Sequence, residues 1–135
     1  MLRQDDFNKS QLVLTGWRYG REYGGHLPSL MIMGCLANRV RLGWGSWLEV
    51  IDRIPNFAAE DAVPTGTPSI WEPNFVRLLH EVDHVYDGSG QDLSKGALYW
   101  ADLRRVERPW FKDNILGKAD THPRIVDCNS LVLFR

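Results

Sequence analysis

The chain has 135 residues, 24% of them charged, with 16 Lys and Arg set against 17 Asp and Glu for a formal net charge of −1. That length suits one domain, residues 1–135, able to bury roughly two thirds of the surface its unfolded chain would expose. The balanced charge disfavours a general nucleic-acid binder, which is more often basic. No apolar run approaches the roughly 20 residues of a membrane span, so no membrane insertion is expected.

The opening Met1-Leu2-Arg3-Gln4-Asp5-Asp6 is polar and does not read as a signal peptide, which predicts a soluble protein made in the cytoplasm. Leu12-Val13-Leu14 then gives way to Gly16, Gly20, Gly24 and Gly25, a Gly- and Tyr-rich connection that ends at His26-Leu27-Pro28-Ser29. Pro28 suits the first turn of a helix. The run Leu30-Met31-Ile32-Met33-Gly34-Cys35-Leu36-Ala37 is apolar on all sides, as in a helix surrounded by protein. Gly34 within it costs about 1 kcal/mol against Ala, so its presence predicts a neighbour packed too closely for a Cβ. Asn38 and Arg39 close this helix with polar groups, read as hydrogen-bonding a neighbouring loop.

A short helix is predicted from Ser46 to Arg53, with Ser46 as its cap and Trp47, Val50, Ile51 and Ile54 at near-helical spacing; Glu49 within it faces solvent. Asn56 to Ile70 carries Pro64, Gly66 and Pro68 among small residues and reads as an irregular surface loop. The next helix is the clearest in the chain. Pro73 sits in its first turn, Phe75, Leu78, Leu79, Val82, Val85 and Tyr86 recur on one face, and Asp87-Gly88 ends it. After a polar loop through Asp92, Ala97-Leu98-Tyr99-Trp100 reads as a buried strand, with Asp102 just past it in a turn or cap. Pro109-Trp110-Phe111-Lys112 starts a brief helix, and Ile125-Val126 and Leu131-Val132-Leu133-Phe134 form a hairpin across Asp127–Ser130. The sum is an α+β domain, helix-rich with a small antiparallel sheet near the C-terminus.

Among chemical motifs, His80-Glu81-Val82-Asp83-His84 fits H-E-x-x-H, the pattern in which two His bind zinc and the Glu activates water. At about 100° per residue, however, both His lie about 160° from Val82, the centre of the apolar stripe, and so on the solvent face. His122 is the one later His. No metal site is therefore predicted. Cys35 and Cys128 lack the spacing of a zinc ribbon or redox motif and read as buried free thiols. Neither a G-x-S-x-G elbow nor a phosphate-binding Gly-rich motif occurs, and no cofactor is expected.

Three blocks carry a resemblance: Ala37-Asn38-Arg39-Val40, Gly96-Ala97-Leu98-Tyr99-Trp100, and the terminal Asn129-Ser130-Leu131-Val132-Leu133-Phe134-Arg135. In order and spacing the chain from about Leu12 to Arg135 resembles the catalytic domain of the SleB/CwlJ cell-wall hydrolases, the spore-cortex-lytic family that also occurs in phages. The resemblance implies a lysozyme-like fold, peptidoglycan as partner, and cleavage of its glycan strands, as a lytic transglycosylase ahead of a muramidase-like hydrolase. Such chemistry needs a carboxyl kept protonated near neutral pH, which an aromatic-lined pocket favours.

The family places its Glu just before the buried helix. Here that segment is Trp17-Arg18-Tyr19-Gly20-Arg21-Glu22-Tyr23-Gly24-Gly25, in which Glu22 is the one carboxylate. The register set by Asn38-Arg39 puts the family's two Glu positions on Gly20 and Gly24, so Glu22 takes the role of general acid through a two-residue shift of the loop. Tyr19, Tyr23 and Trp17 supply its apolar neighbours. Tyr19, Tyr23, Tyr99, Trp100 and Asp102 are expected to contact substrate, with core packing the competing role of Tyr99 and Trp100; Trp110 and Phe111 are read as buried. The lack of a signal peptide fits a phage lysin that acts at the cell wall after holin release, or a virion-associated enzyme. The alternative is an inactive virion structural or adaptor protein that keeps the hydrolase fold and assembles with phage tail or capsid proteins. A zinc metallopeptidase through residues 80–84 stands third.

Overall fold

The computed structural model describes residues 3–135, and five α-helices and three strands organise them. Helix α1 (Gln4–Gly20) packs against α2 (His26–Arg41), and both pack on α4 (Pro73–Asp87). Short α3 (Trp47–Asp52) closes one side of this group. The late segment supplies β1 (Tyr99–Asp102), α5 (Pro109–Asn114), β2 (Arg124–Cys128) and β3 (Leu131–Phe134). The sheet is antiparallel throughout, ordered β1-β3-β2, with Tyr99 opposite Phe134 and Asp102 opposite Leu131. The architecture is thus helix-rich α+β with a small antiparallel sheet near the C-terminus.

The elements follow local signals where those are strong. In α3, Ser46 accepts from the Glu49 backbone N–H while the Glu49 side chain accepts from that of Ser46, a reciprocal capping box. Helix α4 starts at Pro73 behind Glu72, which caps the Asn74 and Phe75 N–H groups, and stops at Gly88 in the left-handed conformation. Leu78 and Val82 of its apolar face are buried, whereas Leu79, also assigned to that face, is half-exposed. Helix α2 is surrounded, with Leu30 through Ala37 buried without interruption.

The chain departs from the sequence reading at α1. Gly16 and Gly20 are not part of a connection but occupy the last turns of a 17-residue helix. They lie four apart and so share one face, where α2 approaches: a Cβ on Gly16 would stand 2.5 Å from Met33 Cγ, and one on Gly20 would stand 2.7 Å from the Ser29 Cα. Close contact between the two helices outweighs glycine's poor intrinsic helix propensity. The connection proper is only the 3₁₀ turn Arg21–Tyr23 with Gly24 and Gly25, both at positive φ. Gly34 serves the close approach expected of it, with a Cβ there meeting Ser94 Oγ at 2.8 Å.

Strand alternation then divides the core. All four residues of β3 are buried because both sheet faces are covered. Leu131 and Leu133 join Ile32 and Cys35 of α2, while Val132 and Phe134 join Phe111 and Ile115 around α5. Asn38 and Arg39 tie α2 to the entry of β1: Asn38 Nδ2 donates to the Ala97 carbonyl at 2.9 Å and Arg39 Nε to that of Leu98 at 2.7 Å.

Candidate functional site

Five of the seven side chains singled out from the sequence converge. Tyr19, at the end of α1, Glu22 and Tyr23 in the 3₁₀ turn, and Trp100 and Asp102 on β1 line one concavity, whose remaining wall is the segment from Ala58 to Pro64. Its volume is about 30 Å³, room for about one water. Tyr19 and Trp100 meet edge to face with ring centroids 5.6 Å apart.

Tyr99 is not part of it. Successive strand residues point to opposite faces, so Tyr99 turns toward Trp44, Phe57 and His122 in the α5-side core. Trp17 also lies elsewhere, donating its indole N–H to Glu72 Oε2 at 2.9 Å and packing on Phe75. Phe111 is fully buried, as expected of a core aromatic, whereas Trp110 is only half-buried, against Phe57.

Asp102 closes β1 as its last residue and is 1% exposed. Its Oδ1 accepts from the Arg104 backbone N–H and Nε, and its Oδ2 from Arg104 Nη2 at 2.9 Å and from the Tyr23 hydroxyl at 3.3 Å. The hydrogen bonds from Arg104 hold this carboxyl below the usual aspartate range. Tyr23 is shifted the other way: burial, then the charges of Glu22 and Asp102, push its phenol far above ten. Its carbonyl accepts from Asn129 Nδ2, so the β2–β3 turn pins the 3₁₀ turn to the sheet.

Glu22 is 45% exposed, and its Oε2 lies 2.6 Å from Arg105 Nη1. The carboxyl whose surroundings favour a retained proton is one that sequence reasoning passed over. Glu60 sits half-buried in the loop wall, and burial raises its pKa above the usual glutamate range, with the negative charges of Glu22 and Asp102 adding to the effect and Arg105 opposing it. The loop is held in place from behind, for the Ala59 carbonyl accepts from the backbone N–H groups of Glu107 and Arg108 at 2.8 and 3.0 Å, and Arg108 Nη1 reaches the Ala58 carbonyl. The available sequence signal was the pair Glu60-Asp61 set among alanines in an otherwise neutral loop.

The H-E-x-x-H segment has a different setting. His80 and His84 are both exposed, and His84 Nδ1 lies 2.9 Å from Ser89 Oγ. Glu81 points back toward α2, 3.9 Å from His26 Nε2. Among the described residues no group of three or more His, Cys, Asp or Glu is placed to hold a metal ion, and no helix is long and apolar enough to cross a membrane.

The chain matches no family model, no curated protein and no solved structure.

Proposed function

We propose that this protein cleaves the glycan strands of peptidoglycan at the concavity between Tyr19, Glu22, Tyr23, Glu60, Trp100 and Asp102. The observation that carries the reading is the pairing of two unlike carboxyls there: Glu60, whose burial favours a held proton, and Glu22, ion-paired with Arg105. A half-buried carboxyl beside one held by an arginine can divide the roles of acid and anion. Because the concavity is water-sized, the sugar lies across its rim, with Tyr19 and Trp100 as apolar support.

Glu60 then gives its proton to the glycosidic oxygen as the C1–O bond of the muramyl residue breaks, and the Glu22 carboxylate stabilises the positive charge that develops at C1. In the transglycosylase route the C6 hydroxyl oxygen bonds to C1 and returns its proton to Glu60, closing a 1,6-anhydro ring. The family resemblance of the Asn38-Arg39, Gly96–Trp100 and Asn129–Arg135 blocks favours this route, a lysozyme-like descent for the fold, and a phage lysin or virion-borne enzyme. Asp102, fixed by Arg104 and Tyr23, positions the turn that carries Arg105.

The test is digestion of purified peptidoglycan with wild type, Glu60→Gln and Glu22→Gln, with mass analysis of released muropeptides. Anhydro-muramyl products from wild type, absent with Glu60→Gln, support the assignment; reducing-end products redirect it to hydrolysis. Loss with Glu22→Gln alone returns the acid role to Glu22.

One surface feature favours a second reading, a virion structural or adaptor protein with this fold and no activity. Ile70 and Trp71 stand side by side, 71% and 82% exposed, the kind of apolar patch that marks a partner surface. Folded wild type that releases nothing from cell walls but assembles with tail or capsid proteins would establish it.

A further inference from the structure

Arg39 stands in the last turn of α2, and only 2% of the residue is exposed. A guanidinium removed from water needs both hydrogen-bond acceptors and a counter-charge. Here the acceptors are incomplete. Nε donates to the Leu98 carbonyl, but Nη1 is buried without a partner. The rest of its surroundings is aromatic: Trp100, Trp44, Phe57 and Tyr99 have ring centroids 4.9, 5.1, 5.4 and 5.6 Å from Arg39 Cζ. These faces offer partial negative charge, yet none carries a full one.

The consequence shows in its titration. Burial draws the Arg39 guanidinium down to about 10, whereas Arg104 and Arg105, each beside a carboxylate, are raised. Among the described residues, Arg39 forms no salt bridge.

Beside this cation lies a cavity of about 130 Å³, lined by Arg39, Trp44, Val50, Arg53 and Phe57. Two arginines and no acidic residue line it. Arg53 is half-exposed and anchored from outside, its Nη1 donating to the Trp44 carbonyl at 3.2 Å and its Nη2 to Glu49 Oε2 at 3.1 Å. The volume falls short of the roughly 300 Å³ at which pockets for drug-sized molecules begin, so it suits a small ion or the end group of something larger.

We propose that this cavity binds a small oxyanion, a carboxylate or phosphate group, paired with the Arg39 guanidinium and retained at the mouth by Arg53. The planar fork of Arg matches both oxyanions, and Trp44, Phe57 and Val50 give an organic acid an apolar wall. None of these five residues borders the Glu60 concavity, so the inference stands apart from the glycan-cleaving reading.

The experiment replaces chloride by sodium phosphate or sodium propionate at constant ionic strength, using the whole chain. Thermal unfolding and assigned Trp44 indole and Arg39 Nε–H resonances are followed together. A ligand that binds only the folded state raises the transition temperature with the logarithm of its concentration once past its Kd, and both resonances should shift along the same saturation curve. Phosphate acting alone marks a phosphate site; propionate acting alone or more strongly marks an organic carboxylate. Arg53→Gln, at an exposed position, should fold and weaken binding by about fivefold, the size of one exposed ion pair. Arg39→Lys keeps the charge but loses the fork and should abolish the shifts; if that variant does not fold, Arg53→Gln carries the test. Two results overturn the proposal: no saturable effect of either anion over chloride, or binding unchanged in Arg53→Gln.

Discussion

Gly20→Ala should be among the most damaging single-methyl additions to this protein, and Gly16→Ala, four residues away on the same helix face, a far milder one. At Gly20 the new Cβ would lie 2.5 Å from Ser29 Oγ and 2.7 Å from both the Cα and N of Ser29. Ordinary contact begins near 3.4 Å, so α1 and α2 would have to part by about 0.7 Å at a place where the obstacle is backbone. No rotamer change relieves that. Overpacking costs up to about 3 kcal/mol, and the gain in helix propensity from Gly to Ala returns about 1, leaving a loss near 2 kcal/mol. For a chain of this size that is a fall of about 7 °C in the thermal midpoint.

At Gly16 the nearest atoms are Met33 Cγ and Sδ at 2.5 and 2.8 Å, and a Met side chain has three torsions with which to move aside. Propensity gain and repacking cost then nearly cancel, within about 1 kcal/mol of wild type. Urea titrations of both variants, with the slope unchanged and only the midpoint displaced, measure the difference. A Gly20→Ala protein as stable as wild type would refute the close helix contact and with it the reason α1 continues through its glycines.

Three further outcomes are expected. Glu60→Gln should abolish muropeptide release by about 100-fold or more, and because Glu60 is raised by burial, the wild-type activity should persist to pH values above the usual glutamate range before falling as the acid ionises. The same raised value means that Glu60 contributes stability below its unfolded pKa that is lost as pH rises through the folded one, so the Gln variant should be no less stable than wild type at pH 7 by urea titration. Asp102→Asn should cost about 2 kcal/mol through its hydrogen bonds to charged groups; since Asp102 is held low, that stability is present above an ordinary aspartate pKa of about 4 and is lost as pH falls through the depressed value, so the two proteins should converge in acid. Cys35 is fully buried, and burial pushes its thiol up to about 12, so iodoacetamide at mild alkaline pH should modify half-buried Cys128 in native protein and Cys35 only after unfolding; equal rates would refute that burial.

Much of this architecture is written in short stretches of chain. Pro73, the 3.6-residue stripe and Gly88 delimit α4, Ser46 and Glu49 start α3, and the turn at Asn129-Ser130 between two apolar runs makes the β2–β3 hairpin. Each is a decision taken among residues a few positions apart, where caps and periodicity act. The unbroken apolar run of α2 likewise announces a surrounded helix. What tertiary structure decided is of another kind. Gly16 and Gly20 are helical because α2 lies against them, and nothing in residues 16–25 alone states that. Tyr99 and Trp100 are equivalent as sequence, yet one enters the core and the other the site because the pleat assigns them opposite faces of a sheet covered on both sides. Glu60 owes its raised pKa to burial, with Glu22 and Asp102, dozens of residues away in each direction, adding to it, and Arg39 is enclosed by four aromatic rings drawn from three separate segments. Helices and strands are selected by local free energies, whereas the burial that raises one carboxyl and lowers one guanidinium exists only once distant segments have packed.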